Sequence, residues 1–135
     1  MGVAMKKLGL LNQPISNVIA GMGHGDALVI ADAGLPIPAS TPRIDLAVRA
    51  GLPAFLDVLS AVLDELKVEE AIAASELRSK SPEMFVRLQA TLGSIPLREV
   101  AHETFKAETA WAKAVVRTGE FTPYANVILV AGVVF

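Results

Sequence analysis

Residues 27–31, ALVIA, form an unbroken apolar run, with Gly25 and Asp26 before it and Asp32 and Gly34 after it. Five apolar residues in a row cannot alternate between a wet and a dry face. A strand built from them must therefore be covered on both sides. That requirement points to a layered architecture in which helices flank a sheet. Residues 12–22 suit a short helix, with Pro14 tolerated in its first turn. RIDLAV at 43–48 alternates with period two and predicts a second, shorter strand. In PAFLDVLSAVLDEL, opened by Pro53, the apolar residues Phe55, Leu56, Leu59, Val62, Leu63 and Leu66 keep helical spacing.

Residues 68–74 read as a strand, and Ser81-Pro82-Glu83 caps a helix running to Leu92. LREVA at 97–101 alternates again. Residues 102–112 fit a helix, 114–117 a strand, and 127–135 a final buried strand. Strands alternating with helices indicate an α/β fold: one three-layer domain over residues 1–135, with a central, largely parallel sheet flanked by helices.

Hydrophobic residues make up 53% of the 135, charged ones 19% and aromatic ones 5%. So much aliphatic surface exceeds what a small domain hides by itself, and the excess reads as an interface between copies of the chain. A formal net charge of −2 excludes the concentrated basic face that nucleic acid requires. The chain has no cysteine, so disulfides, thiolate metal sites and cysteine nucleophiles are ruled out. Asn12, Gln13 and Pro14 cut the opening apolar stretch too short for a signal peptide. Gly2 is followed by Lys6 where myristoylation expects Ser or Thr, and residues 127–135 make about half a membrane span. The expectation is a soluble, cytoplasmic protein that binds neither nucleic acid nor membrane.

Two histidines carry the possible chemistry. His24 lies in GMGHGD, whose glycines let backbone bend sharply and approach a ligand, although a loop histidine is more often a turn or capping residue. No Gly-Lys-Ser/Thr follows, so this is not a phosphate loop. His102 opens HETFK, but position 106 is Lys106, and the zinc-peptidase pattern fails. No metal is expected. Asp32 closes the ALVIA strand at the end where ligands of α/β sheets sit, or else it begins an Asx turn. Tyr124 and Asn126, in TPYAN, either pack or form a polyol-binding edge. No serine lies in a nucleophile elbow.

Four blocks taken in order, MKK…LLN…IS.VIA.MGHGD.LVIADAGLPIP (5–38), RIDLAV..GLPAFLDVL (43–59), VAHETFK (100–106) and RTGE.TPYANVILVAGV.F (117–135), resemble the D-ribose pyranase family. The related fucose mutarotases share a G-H-G-D element and an R-x-G-E segment, but ADAGLPIP and PYAN are similar to the ribose branch. Residues 1–4 then form an extension before the usual start at Met5, and the 92–97 segment is shorter than in typical members. The resemblance implies interconversion of cyclic forms of D-ribose, which supplies the form that ribokinase phosphorylates. It makes His24 the catalytic acid and places Asp32, His102, Tyr124, Ala125 and Asn126 on the sugar. It also implies a cytoplasmic ring-like homo-oligomer, commonly a decamer, without metal or organic cofactor. The alternatives are a mutarotase for another sugar such as L-fucose, and a sugar-binding module without catalysis.

One expectation comes from spacing. His24 and Asp32 are eight positions apart, which span roughly 26 Å when fully extended, at about 3.3 Å each. One pentose cannot bridge that distance, so the His24 of one subunit is expected to meet the Asp32 of its neighbour.

Overall fold

The computed structural model describes residues 5–135; the expected extension at 1–4 lies outside the described residues. The ALVIA run is β1 (Ala27–Ala31), and its last four residues are fully buried. It lies in a six-stranded sheet with β2 (Arg43–Asp45), β3 (Val68–Ala74), β4 (Leu97–Val100), β5 (Ala114–Arg117) and β6 (Val127–Ala131). The strand order is β2-β5-β1-β6-β3-β4. All the strands run parallel except β6, which is antiparallel to both its neighbours, β1 and β3. The sheet is thus largely parallel, as expected, with one reversed strand at its centre.

The pleat divides the core in two. Leu28 and Ile30 face a large cluster built on α1 (Gln13–Gly21), α2 (Phe55–Leu63), α3 (Ser75–Lys80) and α4 (Pro82–Leu92). Val29 and Ala31 face a smaller one with Ile72, Val115 and Ile128, under Phe105 of α5 (His102–Glu108). The layers are therefore unequal, with four helices on one face and a single two-turn helix on the other. Local chemistry sets the helix ends: the Asn12 side chain accepts from the Ile15 N–H at 2.9 Å, and Pro14 and Pro82 occupy first turns.

The structure corrects several sequence boundaries. Residues 43–48 form a strand only to Asp45, because the partner β5 ends at Arg117. The final strand stops at Ala131 instead of running to residue 135. Its neighbours begin at Ala27 and Val68, and past Ala131 one more backbone contact, from the Gly132 N–H to the Lys67 carbonyl at 2.9 Å, closes the pairing. Val134 and Phe135 are consequently exposed. Pro53 stands before the N-cap Ala54, not inside α2. The stretch 102–112 tightens after Glu108 into a 3₁₀ turn (Thr109–Trp111). Sequence reading misses α3, a polar six-residue helix that buries only Leu77 and follows β3 without a loop.

Phe105 is the large side chain that α5 adds to the thinner face. Phe105→Ala should cost about 3–5 kcal/mol in chemical denaturation, as for a fully buried aromatic. Val86→Ala on the exposed side of α4 should change stability by less than about 0.5 kcal/mol.

Candidate active site

The carboxyl ends of β1, β2 and β5 meet the start of β6 along one edge of the sheet. There the Asp32 N–H donates to Asn126 Oδ1 at 2.7 Å, and Asn126 Nδ2 donates back to Asp32 Oδ2 at 3.2 Å. Asp32 Oδ1 accepts from the Gly34 N–H at 3.0 Å, so Asp32 also begins the Asx turn. The turn reading of Asp32 holds, and its carboxylate also lines a cavity at the carboxyl end of β1. The loop after β1 is fastened from the side by the segment after β5. Arg117 Nε donates to the Ala33 carbonyl at 3.0 Å, while its Nη1 meets both Asp45 oxygens at 3.1 Å. The Ala33 N–H donates to the Glu120 carbonyl at 2.8 Å. Asp32, Gly34, Leu35, His102, Arg117 and Tyr124 are among the residues lining a cavity of about 440 Å³, within the range of small-ligand sites.

His102 is carried to this cavity by the first turn of α5, and its backbone N–H donates to both oxygens of Glu76 at 3.0 and 3.2 Å. The edge of one ring meets the face of the other between His102 and Tyr124, with centroids 4.9 Å apart at 85°. His102 Nδ1 is buried and makes no hydrogen bond among the described residues. Tyr124 has φ +64°, in the left-handed region that bulky side chains rarely adopt. That conformation turns the chain just before β6 and brings its ring beside His102. Asn126 is buried, and Ala125 is fully buried in the core below the cavity, so its methyl is not offered to a ligand.

The two carboxylates of the cavity are pushed in opposite directions. Burial is the largest influence on Asp32 and raises its pKa, against hydrogen bonds from Gly34, Leu35 and Asn126 and the charge of His102. Burial also acts upward on Glu120, but hydrogen bonds from the Thr122 hydroxyl and from the Phe55 and Thr122 N–H groups prevail and lower its pKa. Burial thus disfavours the ionised form of Asp32, whereas the hydrogen bonds on Glu120 favour its ionised form.

His24 stands elsewhere. It lies in the turn before β1, at the opposite edge of the sheet, in a second cavity lined by Glu65, Lys67, Ala131, Gly132 and Phe135 among others. The structure thus brings Asp32, His102, Tyr124 and Asn126 together and keeps His24 apart from them. Among the described residues, no group of three or more His, Asp or Glu is placed to hold a metal ion. Sequence reading misses Arg117, Glu120 and Glu76. The RTGE segment carries a signal for the first two. A methyl on Gly119 would lie 2.6 Å from the Arg49 carbonyl, so only glycine lets this segment pass beneath the 49–52 loop.

Fold and site together define an open α/β protein with a polar-ligand cleft at the carboxyl edge of its sheet. Comparison with known proteins makes this more specific. The model of the RbsD / FucU transport protein family matches residues 5–134, and the chain belongs to that family. It is 56% identical over 131 residues to a D-ribose pyranase of Coprothermobacter proteolyticus, covering 97% of this chain and 100% of the relative. Against the structure of Bacillus subtilis RbsD complexed with D-ribose, the TM-score is 0.94 at 47% identity, covering 97% and 100% of the two chains. The Streptococcus pneumoniae fucose mutarotase in complex with L-fucose gives 0.78 at 23% identity, with 93% and 95% covered. This last likeness speaks for the fold alone.

Glu120 also accepts from the Phe55 N–H at 3.1 Å, at the start of α2. Its lowered pKa means that its contribution to stability is complete above the ordinary glutamate range and is lost as pH falls through the folded value. Glu120→Ala should cost about 1–2 kcal/mol at neutral pH. A pH series of denaturation curves should show a flatter acid limb than wild type.

Proposed function

We propose that this protein is a D-ribose pyranase, an isomerase that opens and recloses the sugar ring. The observation that carries this reading is the cleft lined by Asp32, His102 and Tyr124, with the buried Asn126 hydrogen-bonded to Asp32 behind it. It occurs in a chain matching RbsD over nearly its whole length, and the RbsD structure holds D-ribose. The likeness to the ribose enzymes, at 47–56% identity, far exceeds the 23% to the fucose enzyme.

The reaction asks for acid and base and for no nucleophile. The C1–O5 bond of the pyranose breaks and its electron pair goes to O5, which takes a proton from His24. The O1–H proton passes to a base, and the electrons it leaves complete the C1=O1 carbonyl. Attack of O4 on C1 then closes the furanose, with the protons returned in the opposite sense. Asp32, with its pKa raised by burial, is the base this reading assigns. Asn126 and His102 hold hydroxyls, and Tyr124 lies against the sugar. A positioned acid–base group supplies roughly 10²–10⁴-fold, and a sugar that already mutarotates in water needs no more.

Because His24 and Asp32 lie at opposite edges of the sheet, this reading requires a homo-oligomer in which each site is shared by two subunits. Exposed apolar residues beside both cavities support it: Phe121 near Asp32, and Val133, Val134 and Phe135 near His24. A decameric ring in the cytoplasm is the form the family resemblance suggests. No helix among the described residues is long and apolar enough to cross a membrane.

NMR exchange measurements on the anomeric signals of a panel of sugars test the reading. Ribose should show pyranose–furanose exchange that His24→Ala slows by about 10²–10⁴-fold. Binding of ribose without enhanced exchange would reduce the protein to a sugar-binding module.

A further inference from the structure

Glu69 is placed against His24 by three separate features. The first is contact: its Oε2 lies 2.9 Å from His24 Nε2. The second is an irregularity in β3. Val68 pairs with Ala131 and Glu70 with Val130, so β3 advances two residues while β6 advances one. Glu69 is the extra residue of this bulge, a device that re-aims a side chain. The third is Gly132, where an added methyl would lie 3.1 Å from Glu69 Cβ and 3.6 Å from its Oε2. Glycine there leaves the carboxylate room.

The turn that presents the imidazole is itself held. The Gly23 N–H donates to Asp26 Oδ2 at 2.8 Å, and the Gly25 N–H donates to the Ala131 carbonyl at 2.9 Å. Gly25 has φ +85°, which glycine alone adopts without strain. Of the other charged groups nearby, Asp26 lies 4.0 Å from Lys113, and Glu65 is taken by Lys6 and the Leu10 N–H, while Lys67 lines the cavity. The contact does little for folding. The side chains are 61% and 45% exposed, and a pair so wet contributes at most about 1 kcal/mol.

We propose that Glu69 is a positioning residue for His24. Its carboxylate accepts the Nε2–H, which fixes the ring orientation and leaves Nδ1 as the nitrogen that exchanges a proton with the sugar. The proposal rests on the reading of His24 as the acid of ring opening, and it extends that reading to a second residue and to one named nitrogen.

Glu69→Ala and Glu69→Gln are compared with wild type and with His24→Ala by ribose exchange kinetics and by ¹⁵N-imidazole NMR at a pH where the ring is neutral. With two histidines in the chain, His24→Ala assigns the signals. In wild type, His24 should be the Nε2–H tautomer. Glu69→Ala should mix the tautomers and lower kcat by about tenfold or more with KM within about twofold. Glu69→Gln, which keeps an acceptor oxygen, should restore the Nε2–H signal and part of kcat. Unchanged kcat and tautomer in Glu69→Ala overturn the proposal. So does a rise in KM alone, which would put Glu69 on the sugar. Full exchange activity in His24→Ala would instead refute the role of His24, while the tautomer signal still reports whether Glu69 orients it.

Discussion

The paired hydrogen bonds between Asp32 and Asn126 are the contact on which the cleft depends. They join the end of β1 to the start of β6, two strands that meet head to tail because β6 alone is reversed. Asn126 uses its amide oxygen on the backbone and its amide nitrogen on the carboxylate. That fixes both the loop after β1 and the direction of the Asp32 side chain. The other members of the site are held in relation to this pair: Tyr124 two residues upstream on the same chain, His102 edge-on to Tyr124, and Arg117 bonded to the Ala33 carbonyl. An apolar residue at position 126 would leave the part-buried Asp32 N–H unpaired, at about 1–3 kcal/mol, and would leave the carboxylate with only its backbone donors from Gly34 and Leu35.

The strand between the two edges is short, stiff and buried on both faces. Five residues at about 3.3 Å each hold the His24 turn and the Asp32 turn roughly 16 Å apart. Each end has its own carboxylate support, Glu69 beside His24 and Glu76 under His102. The support differs in kind. Glu76 accepts from the backbone at the first turn of α5 and so sets where the helix begins, whereas Glu69 touches the imidazole itself.

Much of this was legible in the sequence. ALVIA announced a strand covered on both faces, and Asp32 after it marked the carboxyl edge of the sheet, where the cleft lies. The resemblance of GHGD and PYAN to a sugar-isomerase family brought His24, Asp32, His102, Tyr124 and Asn126 to notice. What could not be read depended on register and partners. The apolar run from Val127 to Phe135 looks continuous, but where it stops being a strand is decided by where β1 and β3 begin. Nothing local distinguishes Glu69 from Glu70, and only the bulge turns the first toward His24. Ala125 lies inside a polar motif, yet the pleat sends its side chain into the core. Arg117 and Glu120 act on loops distant in sequence, at Ala33 and Phe55.

A site shared between subunits requires each end of β1 to serve a different active site, and mixed assembly tests that most directly. His24→Ala chains and Asp32→Ala chains, each inactive alone, are unfolded together, refolded as mixed oligomers and assayed for ribose exchange. At equal amounts, about a quarter of the interfaces would bring an intact His24 to an intact Asp32, so about a quarter of the wild-type rate should return. Mixed oligomers that stay as inactive as their parents would contradict a site shared between subunits.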